Sequence, residues 1–174
     1  ITNKIIKKVL FLAKKYKLKI FGDLQCSSQI GLVTKFKKFN LICPNEKEAR
    51  IGLQDKESGL EILSHNLMEK TNTNMLILKL GPQGFISYEK LPSGEYNNQL
   101  FPSLSINPVD VSGAGDSLLS IMATGLSNNG DLMTNSAIGC CMAALAVENM
   151  GNKPISSKSL KEFIIKIFEN PNYV

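Results

Sequence analysis

Between residues 3 and 17, apolar side chains return at Ile6, Val9, Leu10 and Ala13 while lysines fill the gaps. That spacing predicts an amphipathic helix with these four residues inward. Leu18 to Asp23 reads as a buried strand ending on a carboxylate. A polar connection from Leu24 to Lys38, with room for one short helix, leads to a second strand, Phe39 to Cys43, which Pro44 stops. Asn45-Glu46-Lys47-Glu48 opens a short helix through Leu53. Another begins at Glu57 or Ser58 and runs to about Lys70, with Leu60, Ile62, Leu63 and Leu67 apolar. Residues 74–80 are nearly continuously apolar, as strands buried on both faces are. Gly81-Pro82-Gln83-Gly84 turns the chain into a strand over Phe85 to Tyr88, which Pro92-Ser93-Gly94 breaks. A last strand is expected from Gln99 to Ser105. Helices follow at Asp116–Leu126, with Leu119, Met122, Ala123 and Leu126 on one face, at Leu132–Glu148, and from Ser157 to about Phe168.

Helices and strands alternating at these separations predict an α/β fold, a parallel sheet flanked by helices in three layers. Ligands of such sheets lie beyond the carboxyl ends of the strands. The loops after Cys43, Leu80 and Ser105 fall there. No internal repeat or low-complexity tract interrupts the pattern.

Charge changes the picture little. The net charge is +5, with lysines crowded at Lys14, Lys15, Lys17 and Lys19 and again at Lys35, Lys37 and Lys38. Arg50 is the only arginine and no aromatic is interleaved for stacking, so these read as solvated faces rather than a nucleic-acid interface. Cys26, Cys43, Cys140 and Cys141 lack C-x-x-C spacing, and one histidine, His65, makes no zinc site. Buried, reduced thiols in a cytoplasmic protein are expected. No apolar run approaches the ~18 residues that span a bilayer, and the lysine-interleaved start is not a signal peptide. A chain that starts at Ile1 is expected to be part of a longer one.

The chemistry concentrates in Asn107-Pro108-Val109-Asp110-Val111-Ser112-Gly113-Ala114-Gly115-Asp116. Small residues allow a tight turn and close approach of a ligand. The amides of Gly113, Ala114, Gly115 and Asp116 would converge at a helix N-terminus, which is an anion site by unpaired donors and by dipole. Asp116 would then stand beside the bound anion, placed to take a proton from an attacking hydroxyl. The same residues also fit a plain loop with a first-turn aspartate that favours the helix dipole. Asn45 and Glu48, three apart after a strand, fit a site where a carboxylate acts on Mg²⁺ or its waters, and equally a capping box. Gly81 and Gly84 fit a nucleotide lying against backbone, and equally a hairpin turn. There is no G-x-x-x-x-G-K-[ST], and Leu118 occupies the place of the third glycine of a dinucleotide fingerprint.

Asn45-x-x-Glu48, then Leu80-Gly81-x-x-Gly84, then Asp110-Val111-Ser112-Gly113-Ala114-Gly115-Asp116, in this order, resembles the C-terminal half of the ribokinase-like (pfkB) sugar kinases. The last wording looks most like the heptose-phosphate kinase branch, the kinase part of bifunctional ADP-heptose synthases. The resemblance covers essentially the whole chain. It implies a partial domain, residues 1–174 being the C-terminal part of one ribokinase-like kinase domain whose N-terminal part carries the lid. It implies ATP-dependent phosphorylation of a sugar or sugar-phosphate hydroxyl. Asp116 looks like the base, and the amides of Gly113, Ala114 and Gly115 like the anion hole. Lys79, Gly81, Gly84, Asn45 and Glu48 look like nucleotide-site positions, with Glu48 reaching Mg²⁺ through water. Asp110, Ser112, Ala146 and Gly151 resemble positions that supply oxygens to a monovalent cation such as K⁺ in several members. Two positions depart from the pattern: Lys79 stands where many members carry a small hydroxyl residue, and Ile155 where some carry serine near the cation. The expected partners are ATP and a small sugar substrate, with no nucleic acid and no membrane. A homodimer, and a fused or paired nucleotidyltransferase, stay open. The rival reading is a non-catalytic nucleotide sensor or interaction module of the same fold.

Overall fold

The Thr2 hydroxyl accepts the Ile5 N–H and starts α1 (Asn3–Tyr16), which stops where Lys17 turns left-handed. The protein is seen here in a computed structural model that describes residues 2–24, 32–105, 107–148, 150–151 and 153–169. The chain divides into two units, Ile1–Gly81 with Ile86–Gln99, and Pro82–Phe85 with Leu100–Val174.

In the first unit β1 (Phe21–Gly22), β2 (Leu41–Ile42) and β3 (Met75–Lys79) pair in parallel, with Leu41 opposite both Phe21 and Met75. β4 (Phe85–Lys90) and β5 (Tyr96–Phe101) extend the sheet in the order β1-β2-β3-β4-β5. Both run antiparallel to their neighbours. The Lys90 N–H donates to the Asn74 carbonyl and the Leu91 N–H to the Glu95 carbonyl, each at 2.8 Å, so each strand end meets the start of its neighbour. The link after β3 is a single 3-10 turn, Gly81–Gln83, far too short for the crossover that a parallel partner needs. The sheet is therefore mixed, and its parallel portion is β1 to β3.

One face of that portion carries Ile42, Leu76 and Leu78. They pack with Leu63, Leu67 and Met68 of α3 (Leu60–Thr71), Ala49 of α2 (Glu46–Leu53) and Ile6 of α1. Leu41, Cys43 and Ile77 alternate with these toward the opposite face and are no more than 1% exposed. Burial on both faces is why residues 74–80 read as one apolar run. The polar connection before β2 contains the short helix expected there, a 3-10 turn at Val33–Lys35.

In the second unit α4 (Ala114–Ser127) and α5 (Leu132–Val147) form an antiparallel hairpin. Leu118, Met122 and Leu126, spaced by four, are the buried stripe of α4. A Cβ on Gly139 of α5 would lie 2.5 Å from Leu118 Cδ1, so the helices approach too closely for a side chain there. The Asp131 carboxylate accepts the Thr134 N–H at 2.8 Å and caps α5. The last helix is α6 (Ser157–Glu169).

Several expectations shift. Val9 is exposed rather than inward, the apolar Ile62 of α3 is exposed too, and Leu118 rather than Leu119 is the buried position at the start of α4. β1 keeps only two residues of the expected strand, because Leu18 and Lys19 stay exposed. α3 begins at Leu60, since Ser58 and Glu57 donate their amides to Asp55 Oδ1 in a separate turn. β5 begins at Tyr96, directly after the Pro92-Ser93-Gly94 turn, and stops before Pro102. α4 begins at Ala114, two residues earlier than expected.

Candidate active site

At the carboxyl ends of the parallel strands the first unit gathers Asp23, Asn45, Glu48, Lys79 and Gly81. The parallel bridge between Asn45 and Lys79, with the Lys79 N–H on the Pro44 carbonyl at 2.9 Å, ties the exits of β2 and β3 together. Asn45 caps α2. Its Oδ1 accepts the Glu48 N–H at 2.8 Å, and Glu48 Oε2 accepts the Asn45 N–H at 2.9 Å. The capping box is thus formed, and Glu48 is 2% exposed. It occupies one carboxylate oxygen without consuming the charge of the group.

Lys79 ends a strand of apolar neighbours, and a lysine is not buried there without a partner. Its Nζ lies 2.7 Å from Asp23 Oδ1 and 2.6 Å from Oδ2, and the two side chains are 21% and 15% exposed. Asp23 Oδ1 also accepts the Leu24 N–H at 2.8 Å. The sequence does not announce this fork: Asp23 reads there as a strand end with no partner, and Lys79 as a nucleotide-site position. The legible signal was a lysine at the end of an otherwise apolar strand, which calls for a carboxylate on a neighbouring strand end. Cys43 stands at the same end, and burial foremost, with the Asp23 charge adding and Lys79 opposing, pushes its thiol far above the ordinary range.

In the second unit Gly113 adopts φ 82° and ψ −3°, a left-handed conformation that favours glycine, and turns the chain into α4. The helical ladder opens with the Ser117 N–H on the Gly113 carbonyl at 2.9 Å, while the Ala114 N–H reaches only the Val111 carbonyl at 3.4 Å. The amides of Gly115 and Asp116 precede the Ser117 N–H, the first donor of the helical ladder, as first-turn amides do. Asp116 is exposed in that turn. The arrangement fits an anion held at a helix start with a carboxylate beside it.

Asp110, Ser112 and Gly151 also converge. Asp110 Oδ1 accepts the Ser112 N–H at 2.9 Å and Oδ2 the Gly151 N–H at 3.0 Å. The Val109 and Asp110 amides both donate to the Val147 carbonyl, next to Ala146 at the end of α5. These bonds, that of Ser112 foremost, hold the Asp110 carboxyl below the usual range. Gly84 has a structural reason of its own. At φ 93° a Cβ would sit 2.0 Å from the Phe101 carbonyl oxygen.

The remaining candidates behave as inert residues. Cys43, Cys140 and Cys141 are free and buried, while Cys26 lies outside the described residues. The Cys140 Sγ donates to the Pro102 carbonyl at 2.9 Å, and burial pushes its thiol up to about 12. His65 stacks on Tyr96 with ring centroids 3.8 Å apart. Among the described residues no group of three or more His, Cys, Asp or Glu could hold a metal by itself, and no helix is long and apolar enough to cross a membrane. Asp23 and Glu48 are hard oxygen donors, which suits Mg²⁺ held by one or two carboxylates together with substrate phosphates.

The sequence pattern of "pfkB family carbohydrate kinase" matches residues 22–158. "Bifunctional protein HldE" of Campylobacter jejuni (strain RM1221) is 26% identical over 176 residues, 97% of this chain and 35% of that protein. The protein of the same name from Shewanella piezotolerans is 27% identical over 152 residues, 86% of this chain and 30% of that one. Among solved structures, ribokinase from Thermotoga maritima aligns with a TM-score of 0.75 at 21% identity, over 92% of this chain and 53% of its own. Phosphofructokinase-2 from Escherichia coli, in complex with substrates and products, aligns with a TM-score of 0.78 at 17% identity, over 97% and 53%. These structural likenesses are of fold. The chain spans about a third of the length of the curated relatives it matches and about half that of the solved chains.

Proposed function

Since the chain belongs to the pfkB family of carbohydrate kinases, we propose that it is the C-terminal, nucleotide-binding and catalytic part of an ATP-dependent sugar kinase domain. The observation that carries this reading is the left-handed Gly113 turning into α4 with Asp116 exposed in the first turn. The donors at that helix start bind the transferred phosphoryl, and their dipole favours its charge. Asp116 takes the proton of the acceptor hydroxyl as its oxygen bonds to the γ-phosphorus. The bond from that phosphorus to the bridging oxygen breaks, and ADP leaves. Positioning and charge stabilisation supply most of the rate, so an ordinary carboxylate suffices as base. Asn45, Lys79, Gly81 and Gly84 contribute to the nucleotide site.

Mg²⁺, the family's divalent partner, would be held through Glu48 and its waters and would neutralise phosphate charge. Asp110, Ser112, Ala146 and Gly151 are the proposed positions around a monovalent cation such as K⁺. The acceptor is a sugar or sugar phosphate. The heptose-phosphate branch is favoured by the Asp110–Asp116 wording and by the bifunctional relatives, which also support a fused or paired nucleotidyltransferase.

The test is Asp116→Asn in the intact protein, with ADP release measured on a panel of sugars and nucleotide binding measured by calorimetry. The expected result is a fall in kcat of ~10²–10⁴ with nucleotide affinity nearly unchanged. Near-normal turnover would remove Asp116 from the base role.

A further inference from the structure

The roles above place Lys79 in the nucleotide site but leave its fork with Asp23 unused. Resting on the nucleotide-site reading, we propose that Lys79 is a built-in counter-ion for the nucleotide phosphates, held ready by Asp23, which lets this chain bind nucleotide when divalent metal is scarce. Three observations converge. The backbone of Lys79 is fixed by the hydrogen bond of its N–H to the Pro44 carbonyl and by its bridge to Asn45, so the side chain starts beside the cap of α2. The fork is shielded but not sealed, with Lys79 21% exposed, so the ammonium can exchange one anion for another without unfolding anything. The exits of β1, β2 and β3 carry two carboxylates, Asp23 and Glu48, and one ammonium.

The charge balance gives the direction. With Lys79 in place this set carries one net negative charge, and with a neutral residue it carries two. The Asp23 carboxylate, left without its ammonium, draws in a divalent cation and repels free nucleotide. An ammonium already present offers a polyphosphate a charge-assisted partner, and Asp23 competes with the phosphate for it. Lys79 therefore matters most when metal is absent. Removing Asp23 acts in the opposite direction from removing Lys79.

The experiment is calorimetry of ATP and ADP with the intact protein, in EDTA and in excess Mg²⁺, for the natural sequence and for Lys79→Thr, Lys79→Arg and Asp23→Asn. Lys79→Thr is expected to weaken binding about tenfold or more in EDTA and no more than about threefold in Mg²⁺, whereas Lys79→Arg retains metal-free binding. Asp23→Asn is expected to leave metal-free binding unchanged or tighter. Equal losses with and without metal, or Asp23→Asn weakening binding as much as Lys79→Thr, would reduce the fork to a structural tie and overturn the inference. If the natural protein binds Mg-nucleotide but its metal-free affinity ignores Lys79, only this inference fails. If it binds nucleotide in neither condition, the kinase reading fails with it. Thermal melting of each variant identifies one that does not fold, and Asp23→Asn and Lys79→Arg then carry the decision.

Discussion

The Asp110 carboxylate accepts the Gly151 N–H at 3.0 Å although forty-one residues separate them, and its other oxygen accepts the Ser112 N–H at 2.9 Å. One side chain thereby fixes the loop that leads into α4 against the chain that leaves α5. Because both bonds favour the ionised form, the carboxyl is held low, the Ser112 amide contributing first. The stabilisation is present above the ordinary aspartate pKa of ~3.9 and is lost as pH falls through the lower folded-state value. Asp110→Ala should speed amide exchange at Ser112 and Gly151 several-fold at neutral pH, and acid should do the same to the natural protein only below about pH 4. Exchange that is indifferent to both would show that the loop is held by other contacts.

Gly84 has no room for a side chain. It combines a φ of 93° with a Cβ site 2.0 Å from the Phe101 oxygen and 2.8 Å from Ser103 N, all backbone that cannot swing away. Gly84→Ala should destabilise by roughly 2 kcal/mol or more, from left-handed strain plus the clash. Equilibrium urea unfolding measures it. Gly94, with nothing within 4 Å of its Cβ site, is the control, and should lose only the conformational part. Equal losses at the two would disprove the clash.

Glu48 lets its two roles be separated. As a cap partner it accepts the Asn45 N–H, and Glu48→Gln keeps an acceptor oxygen while removing the charge. The expected outcome is a small change in thermal stability with a clearly higher Mg²⁺ concentration needed for half-maximal activity. Asn45→Ala should do the reverse, costing about 0.5–2 kcal/mol of stability through loss of the cap. An Mg²⁺ titration unmoved by Glu48→Gln would leave Glu48 with the cap alone.

Cys43 and Cys140 should react with iodoacetamide at pH 8 only as fast as the structure opens. Both are buried and both thiols are pushed up, so the thiolate that reacts is scarce. Site-resolved mass spectrometry with and without denaturant should separate them from model thiols by at least about a hundredfold. Rapid native labelling of Cys43 would contradict its place at the exit of β2.

The local chemistry was legible in the sequence because it is carried by short-range patterning. The 3–4 spacing gives α1 and α3, the apolar run gives β3, Asn45-x-x-Glu48 gives the cap of α2, and Gly113 before a helical run gives the turn into α4. Each depends on residues within a few positions of one another, where rotamers, caps and backbone preferences act alone. The order of the three motifs was enough for the family. Tertiary structure decided what depends on distant partners. It set β4 antiparallel to β3 and β5 antiparallel to β4, because neither the turn at Gly81–Gln83 nor the one closed between Leu91 and Glu95 is long enough to cross over the sheet, and it exposed Val9 and Ile62, because periodicity marks a face without stating what covers it. It also joined Asp23 to Lys79 across fifty-six residues and Asp110 to Gly151 across forty-one. A carboxylate in sequence carries no mark of its partner. Only the parallel register that brings the strand exits together, and the return of the chain after α5, placed these charges and donors side by side.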